Sequence, residues 1–94
     1  MATRIIEYGG VNRNDQLPIV PKAIREQTAL TATGTSAQSA ATGLDCDFVC
    51  VDSDEQIYVA IGSNPTAATT SYRIAAGQNQ FFEVIPGDKV AIRT

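Results

Sequence analysis

The chain has 94 residues, which is enough for one domain but leaves no room for a separate catalytic domain. Ten acidic residues against seven basic ones give a formal net charge of -3, and the basic residues are scattered along the chain. Because nucleic-acid binding needs a concentrated basic surface, we expect no nucleic-acid partner.

The sequence also lacks the features of a membrane or exported protein. No run approaches the roughly 18 apolar residues of a membrane span, and the N-terminus has no basic-then-apolar pattern of a signal peptide. We therefore expect a chain made in the cytoplasm with no membrane partner.

Residues 1–28 predict an extended N-terminal arm. Their second half contains an apolar run bounded by prolines, made of Leu17, Pro18, Ile19, Val20 and Pro21. Two prolines so close together restrict the backbone to extended geometry and remove two hydrogen-bond donors, so this segment belongs at an edge rather than in a central strand. Residues 22–27 could instead form one helical turn after Pro21.

The apolar run of residues 17–21 is the candidate partner interface. An extended apolar segment can add to a neighbour's sheet or fill a neighbour's groove. The alternative is an arm that folds back over its own sheet.

Residues 29–94 predict a β-sandwich domain. Threonines alternate with apolar or small residues over 29–35, which favours a strand. Residues 48–51 and 57–61 are apolar on both faces and flank a polar stretch, which predicts a β-hairpin inside the sheet. Later strands are predicted near 71–75, 81–85 and 89–93, with Val90 and Ile92 buried.

The turns support the same fold class. Pro86 and Gly87 fit the central places of a type II turn, and Phe81 and Phe82 must point to opposite faces of their strand. Short strands with a turn about every ten residues predict an all-β fold, either an antiparallel β-sandwich or a small barrel, jelly-roll or Ig-like.

Cys46 and Cys50 lie four residues apart in a predicted strand. That spacing puts them on one face about 13 Å apart, beyond the reach of a disulfide. We expect both to be reduced core residues. A zinc site would need more ligands, and the chain contains no His.

The candidate chemistry is sparse. Without His, the usual Ser–His and Cys–His catalytic pairs are excluded, which leaves only a Ser–Lys or paired-carboxylate enzyme. Because no motif flanks any Ser, we expect no enzyme activity and no cofactor. Five carboxylates crowd into eleven residues but lack the glycine and terminal acid of an EF-hand loop, which favours a solvated hairpin tip over a metal site. These are Asp45, Asp47, Asp52, Asp54 and Glu55.

Four segments follow one another in a characteristic order. They are Ser-Ala-Gln-Ser-Ala at 36–40, Tyr-Val-Ala-Ile-Gly-Ser-Asn-Pro-Thr-Ala at 58–67, Phe-Phe-Glu-Val at 81–84 after the Gly77 turn, and Pro-Gly-Asp-Lys-Val-Ala-Ile at 86–92. Through them the chain, from about Ala29 to Arg93, resembles a group of small structural proteins of tailed bacteriophages. Residues 1–28 lie outside this resemblance.

The resemblance implies a virion component made in the host bacterial cytoplasm. It would be a β-sandwich subunit that decorates the capsid or acts as an accessory at the head-to-tail or tail region. Its partners would be copies of itself, in a homo-oligomer, and other virion proteins.

The competing hypothesis is a module on the virion that binds host carbohydrate or another host receptor. Sugar sites usually present aromatic faces, but the chain has no Trp and its three tyrosines, Tyr8, Tyr58 and Tyr72, are not grouped in sequence.

Overall fold

The computed structural model describes residues 2–9 and 22–94, and the strands within these ranges form two packed antiparallel sheets. The strands in chain order are β1 (Ala2–Gly9), β2 (Lys22–Glu26), β3 (Leu30–Thr31), β4 (Ala37–Gln38), β5 (Cys46–Ser53), β6 (Ile57–Gly62), β7 (Tyr72–Ile74), β8 (Asn79–Glu83) and β9 (Lys89–Arg93). The predicted all-β antiparallel sandwich is confirmed.

The two sheets have simple orders. The first runs β2-β1-β5-β8, with β3 also pairing with β1, and the second runs β4-β9-β6-β7. The strands that are apolar on both faces, β5 and β6, lie inside their sheets, as their composition predicts.

The core lies between the sheets and follows the two-residue period of the strands. Ile5, Val49 and Val51 reach it from the first sheet, and all three are fully buried. Val90 and Ile92 reach it from the second sheet and are also fully buried, as predicted.

Buried hydroxyl groups form hydrogen bonds beside this core. The Thr3 hydroxyl donates to the Ser53 hydroxyl oxygen over 3.1 Å in a buried pair that joins β1 to β5. The Val90 N–H donates to Ser39 Oγ over 2.9 Å, and the Ser39 N–H donates to the Val90 carbonyl over 2.7 Å. These bonds satisfy polar groups that would otherwise be costly to bury.

The predicted hairpin of residues 48–51 and 57–61 is wrong. β5 belongs to the first sheet and β6 to the second, so the chain crosses between the sheets after Ser53. The Glu55 N–H donates to Ser53 Oγ over 3.3 Å at this crossing. Two strands that are apolar on both faces suit a hairpin and a crossing equally well, and the link between them is short enough for either.

The predicted arm over residues 1–28 is wrong for residues 2–9, which form an inner strand, whereas residues 22–26 form the edge strand β2. β1 lies between β2 and β5, and its pairing with β5 extends from Thr3 to Gly9. The proline restriction applies only after residue 17, so it leaves β1 available to occupy the centre of the sheet. The proposed helical turn at 22–27 is replaced by β2, because a single turn is unstable and pairing with β1 satisfies the backbone.

Other local predictions hold. Gly87 has a φ of 92°, as the third residue of a type II turn requires, and the Asp88 N–H donates to the Ile85 carbonyl over 3.0 Å. Phe82 packs against the core, whereas Phe81 faces away from it and is 51% exposed. The strand predicted over 29–35 shortens to β3.

We predict that truncating the core destabilises the domain far more than truncating an exposed apolar residue. Ile57→Ala should lower the free energy of unfolding by about 2–5 kcal/mol, because it leaves a cavity between the sheets. Urea unfolding followed by tyrosine fluorescence measures this. Leu44→Ala, at a position 92% exposed, is the matched control and should stay within about 0.5 kcal/mol of the parent protein. Equal losses in the two variants would contradict the core assignment.

Candidate interaction surface

The side of the first sheet that faces away from the core carries a group of apolar side chains, here called the outer face. Strand pairing places them in register, with Ile6 beside Cys50, Cys50 beside Phe81, and Tyr8 beside Phe48. The outer face therefore consists of Ile6, Tyr8, Phe48, Cys50 and Phe81. It lies over β1 and β5, the strands at the middle of the sheet.

Two aromatic rings meet on this face. Tyr8 and Phe81 pack edge to face, with ring centroids 5.2 Å apart, although β5 separates their strands. They meet on the side of the sheet where Cys50 lies, and Cys50 is only 4% exposed. Because Phe81 remains half exposed, the face offers solvent an aromatic surface with a fixed ring geometry.

Charged residues border the outer face. Arg4 donates to Glu26 over 2.8 Å and lies 3.8 Å from an Asp52 carboxylate oxygen. The hydrogen bond from Arg4 holds the pKa of Glu26 below its ordinary value. Glu83, paired in register with Phe48, lies at the opposite end of the face. An apolar centre with a charged border is the usual composition of a protein contact surface.

A buried carboxylate, Glu7, lies on the other side of β1. It is only 2% exposed, because Thr3, Ile5 and Glu7 share the core side of the strand. One oxygen accepts the Gly43 N–H over 2.9 Å and lies 3.7 Å from Arg25 Nε, while the other accepts Gln27 Nε2 over 3.1 Å. The carboxylate thus ties β1 to two chain segments that follow later in the sequence.

Glu7 lines a cleft of about 410 Å³, together with Arg25, Gln27, Leu30 and Ala41. The side-chain amide oxygen of Gln27, Oε1, is buried and has no hydrogen-bond partner among the described residues. Arg25 also hydrogen-bonds Asp45, which lowers the pKa of Asp45. The contacts that Glu7 makes in this cleft join β1 to Arg25, Gln27 and Gly43, so we assign the cleft a structural role.

The sequence interpretation missed Glu7. The only signal in the sequence was the position of Glu7 two residues after Ile5, because residues two apart in a strand lie on the same face and Ile5 is expected in the core. A strand taken for an exposed arm gives no reason to expect a buried charge there.

We predict that Glu7→Ala lowers the free energy of unfolding by about 2–4 kcal/mol, because it leaves two partly buried donors without their acceptor and Arg25 without its buried partner. Glu7→Gln keeps the shape and one acceptor oxygen, and the Gln27 amide can rotate to accept from it, so its loss should be about 1–2 kcal/mol. Urea unfolding measures both variants. A Glu7→Ala protein as stable as the parent would contradict the role of this carboxylate.

The two cysteines are free and buried, as expected, but they do not share a face. The pairing of β1 with β5 shifts register between Tyr8 and Gly9, so Cys46 lies opposite Gly9 while Phe48 lies opposite Tyr8. This shift turns Cys46 into the core with Val49, whereas Cys50 points to the outer face. A bulge of this kind changes the parity of every residue before it.

The environments of both thiols disfavour the thiolate. Burial, reinforced by the charge of Glu7, raises the pKa of Cys46 to about 11. Burial also raises the pKa of Cys50, with a smaller contribution from the charge of Asp52. Since the thiolate is the reactive form, neither cysteine is suited to act as a nucleophile.

We predict that iodoacetamide at pH 8 leaves both cysteines unmodified in the folded protein and alkylates both in urea. The raised thiol pKa and the burial act in the same direction, because each keeps the folded protein from presenting a thiolate. Mass spectrometry after timed quenching counts the modified sites. Labelling of the folded protein at the rate of an unfolded peptide would contradict the buried placement.

The sequence-predicted candidates lie apart from one another. Leu17, Pro18, Ile19, Val20 and Pro21 fall outside the described residues. The acidic cluster does not converge, since Asp45 binds Arg25 and Asp52 faces Arg4. Within the described ranges no three His, Cys, Asp or Glu side chains come together as metal ligands. Tyr8 lies in the first sheet, whereas Tyr58 and Tyr72 lie in the second.

Comparison of the chain with models of known families, with curated proteins and with solved structures finds no match. None of the described residues belongs to a helix with the length and hydropathy of a membrane span.

Proposed function

We propose that the chain is a non-enzymatic structural protein of a tailed-bacteriophage particle, and that it works through protein–protein contacts. The observation that carries the proposal is the outer face, where Ile6, Tyr8, Phe48 and Phe81 form one apolar surface on a domain of 94 residues. Contiguous apolar patches on small soluble domains mark contact sites.

The geometry of the outer face suits a protein partner. Its centre lies over two hydrogen-bonded central strands, β1 and β5, so the side chains are held by a rigid scaffold. Rigid aromatic side chains lose little conformational entropy on binding, and aromatic residues are enriched at the centre of protein interfaces. The bordering acids and Arg4 would then form the polar rim.

The resemblance of residues 29–93 to small phage structural proteins gives the partner class. On this proposal the domain decorates the capsid or serves as an accessory at the head-to-tail or tail region. It contacts other virion proteins and further copies of itself, after synthesis in the host bacterial cytoplasm.

The apolar run of residues 17–21 is the second contact in the proposal. In the sequence it lies between β1 and β2, the two strands that pair at one end of the first sheet. Removing the whole N-terminal stretch would remove central strand β1, so substitutions within the run are the appropriate test.

We predict that the chain is present in many copies in purified particles encoded by the same genome, and that Phe48→Ser reduces those copies about tenfold. Phe48 lies on the outer face away from the sheet edge, so its loss weakens the contact surface without removing a core residue. Quantitative mass spectrometry of purified particles counts the copies. A Leu17→Ser, Ile19→Ser and Val20→Ser triple variant tests the second contact in the same way.

Leu44→Ser is the matched control, since it removes an apolar side chain that is 92% exposed and outside the outer face. It should be incorporated like the parent protein. Absence of the chain from particles would overturn the proposed function. Normal incorporation of Phe48→Ser would overturn the outer face as the contact, and normal incorporation of the triple variant would overturn the role of residues 17–21.

A further inference from the structure

The described edges of the two sheets differ in how they are protected from pairing with another chain. The second sheet ends in β4 and β7, which have two and three residues. One edge of the first sheet is β2, which carries Arg25 and Glu26 and pairs with β1 through a register shift. Short length, charge and irregular pairing are the usual means by which proteins prevent edge-to-edge association.

The remaining edge, β8 (Asn79–Glu83), is less protected, since its one charged residue is Glu83 at its end. It is five residues long, contains no basic residue and no proline, and pairs with β5 without a register shift. Asn79, Gln80, Phe81 and Glu83 are all exposed. A regular strand that the described residues leave exposed is a template for another strand.

The direction of the backbone groups along β8 follows from one hydrogen bond. The Val84 N–H donates to the Asp47 carbonyl over 3.0 Å, so position 84 faces β5. In an antiparallel ladder the direction alternates, so Gln80 and Phe82 also bond to β5, while Asn79, Phe81 and Glu83 direct their N–H and C=O groups away from it. These outward groups are symmetric about Phe81.

We propose that β8 pairs with β8 of a second copy of this chain, antiparallel and centred on Phe81. A two-fold axis through that point places the outward groups of one strand opposite those of the other, which closes the assembly as a dimer. Phe81 then lies beside Phe81 of the second copy, and Asn79 lies opposite Glu83 of the second copy.

The side chains of β8 fit this register. Glu83 is the one charged residue of β8, and in the Phe81-centred register it meets an amide that can donate to it rather than another carboxylate. A register centred on Glu83 would set two carboxylates against each other. The observed sequence therefore favours pairing of β8 with itself in a single register.

The pairing also extends the outer face. Phe81 belongs to both the edge and the outer face, where it packs against Tyr8. Joining the two sheets through β8 would make the two outer faces one continuous apolar surface and cover the exposed side of Phe81. The exposed edge and the exposed aromatic ring are thereby explained by one contact.

This inference deepens the proposed function by naming the surface for contacts between copies, and the two can fail separately. A protein that stays monomeric in solution yet is incorporated into particles would overturn the β8 pairing and leave the structural role standing. A dimer that pairs through β8 but is absent from particles would overturn the structural role and leave the β8 pairing standing.

The first test is amide hydrogen exchange of the full chain by NMR at micromolar and millimolar protein. The pairing predicts that the amides of Asn79, Phe81 and Glu83 become protected as concentration rises, while the amides of β2 do not. Sedimentation equilibrium on the same samples should show a monomer–dimer transition. A monomer at millimolar concentration, or a dimer in which these three amides stay unprotected, would overturn the proposal.

The second test uses charge to read the register. Asn79→Asp sets a new carboxylate opposite Glu83 at two symmetric places and should weaken the dimer about tenfold. Adding Glu83→Lys to that variant should restore dimerisation, because the new carboxylate then faces an ammonium group. Any repulsion between the new carboxylate and Asp52 in the same chain is common to both variants, so the restoration reports on the contact between copies.

Ser63→Asp is the matched control, since it adds the same charge at an exposed position after β6 in the second sheet. It should dimerise like the parent protein. Failure of the Asn79→Asp and Glu83→Lys double variant to recover, or an equal loss in the control, would overturn the Phe81-centred register.

Discussion

The pairing of β1 with β5 is the contact on which both faces of the first sheet depend. On one side it brings Ile5 beside Val51 and completes the core. On the other side it brings Ile6 beside Cys50 and Tyr8 beside Phe48, which makes the apolar outer face. Since successive side chains of a strand point to opposite faces, the same ladder that buries the core side chains determines which side chains lie on the outer face.

The buried Glu7 on β1 fixes the position of the β1–β5 ladder relative to the segments around Arg25, Gln27 and Gly43. An ionic group in a small core is expensive to bury, and it is tolerated only where several donors surround it. Here Gly43 and Gln27 donate hydrogen bonds and Arg25 supplies a positive charge 3.7 Å away, and all three belong to segments that the chain must bring together after β1. The carboxylate therefore favours one arrangement of those segments over alternatives that would leave the charge unpaired. At the other end of β1, the buried hydrogen bond between Thr3 and Ser53 likewise favours one alignment of β1 against β5.

The sequence predicted the fold class well because strand alternation and turn chemistry are local signals. Val90 and Ile92, the Gly87 turn and the opposite directions of Phe81 and Phe82 all follow from a two-residue period or a required backbone angle. The partners of each strand do not follow from such signals. The crossing after Ser53 and the central place of β1 depend on contacts between residues far apart in the chain, which a single sequence does not encode in any short pattern.

The candidate surface was visible in part. Opposite directions for Phe81 and Phe82 implied that one ring lies away from the core, but the grouping of Phe81 with Tyr8, Phe48 and Ile6 arises only when β1, β5 and β8 are neighbours. The two cysteines were expected on one face of their strand, but the bulge near Asp47 turns Cys46 into the core, while Cys50 stays on the outer face with Phe48. A one-residue shift of this kind leaves little trace in composition or periodicity.

On the proposed function, the outer face of the first sheet is a surface for protein contact in an assembled particle. A cryo-electron reconstruction of the particle encoded by the same genome, at a resolution that traces the chain, tests it most directly. The account predicts that a neighbouring protein covers Tyr8, Phe48 and Phe81. A reconstruction in which this face points to solvent while other surfaces of the domain make the contacts would contradict it.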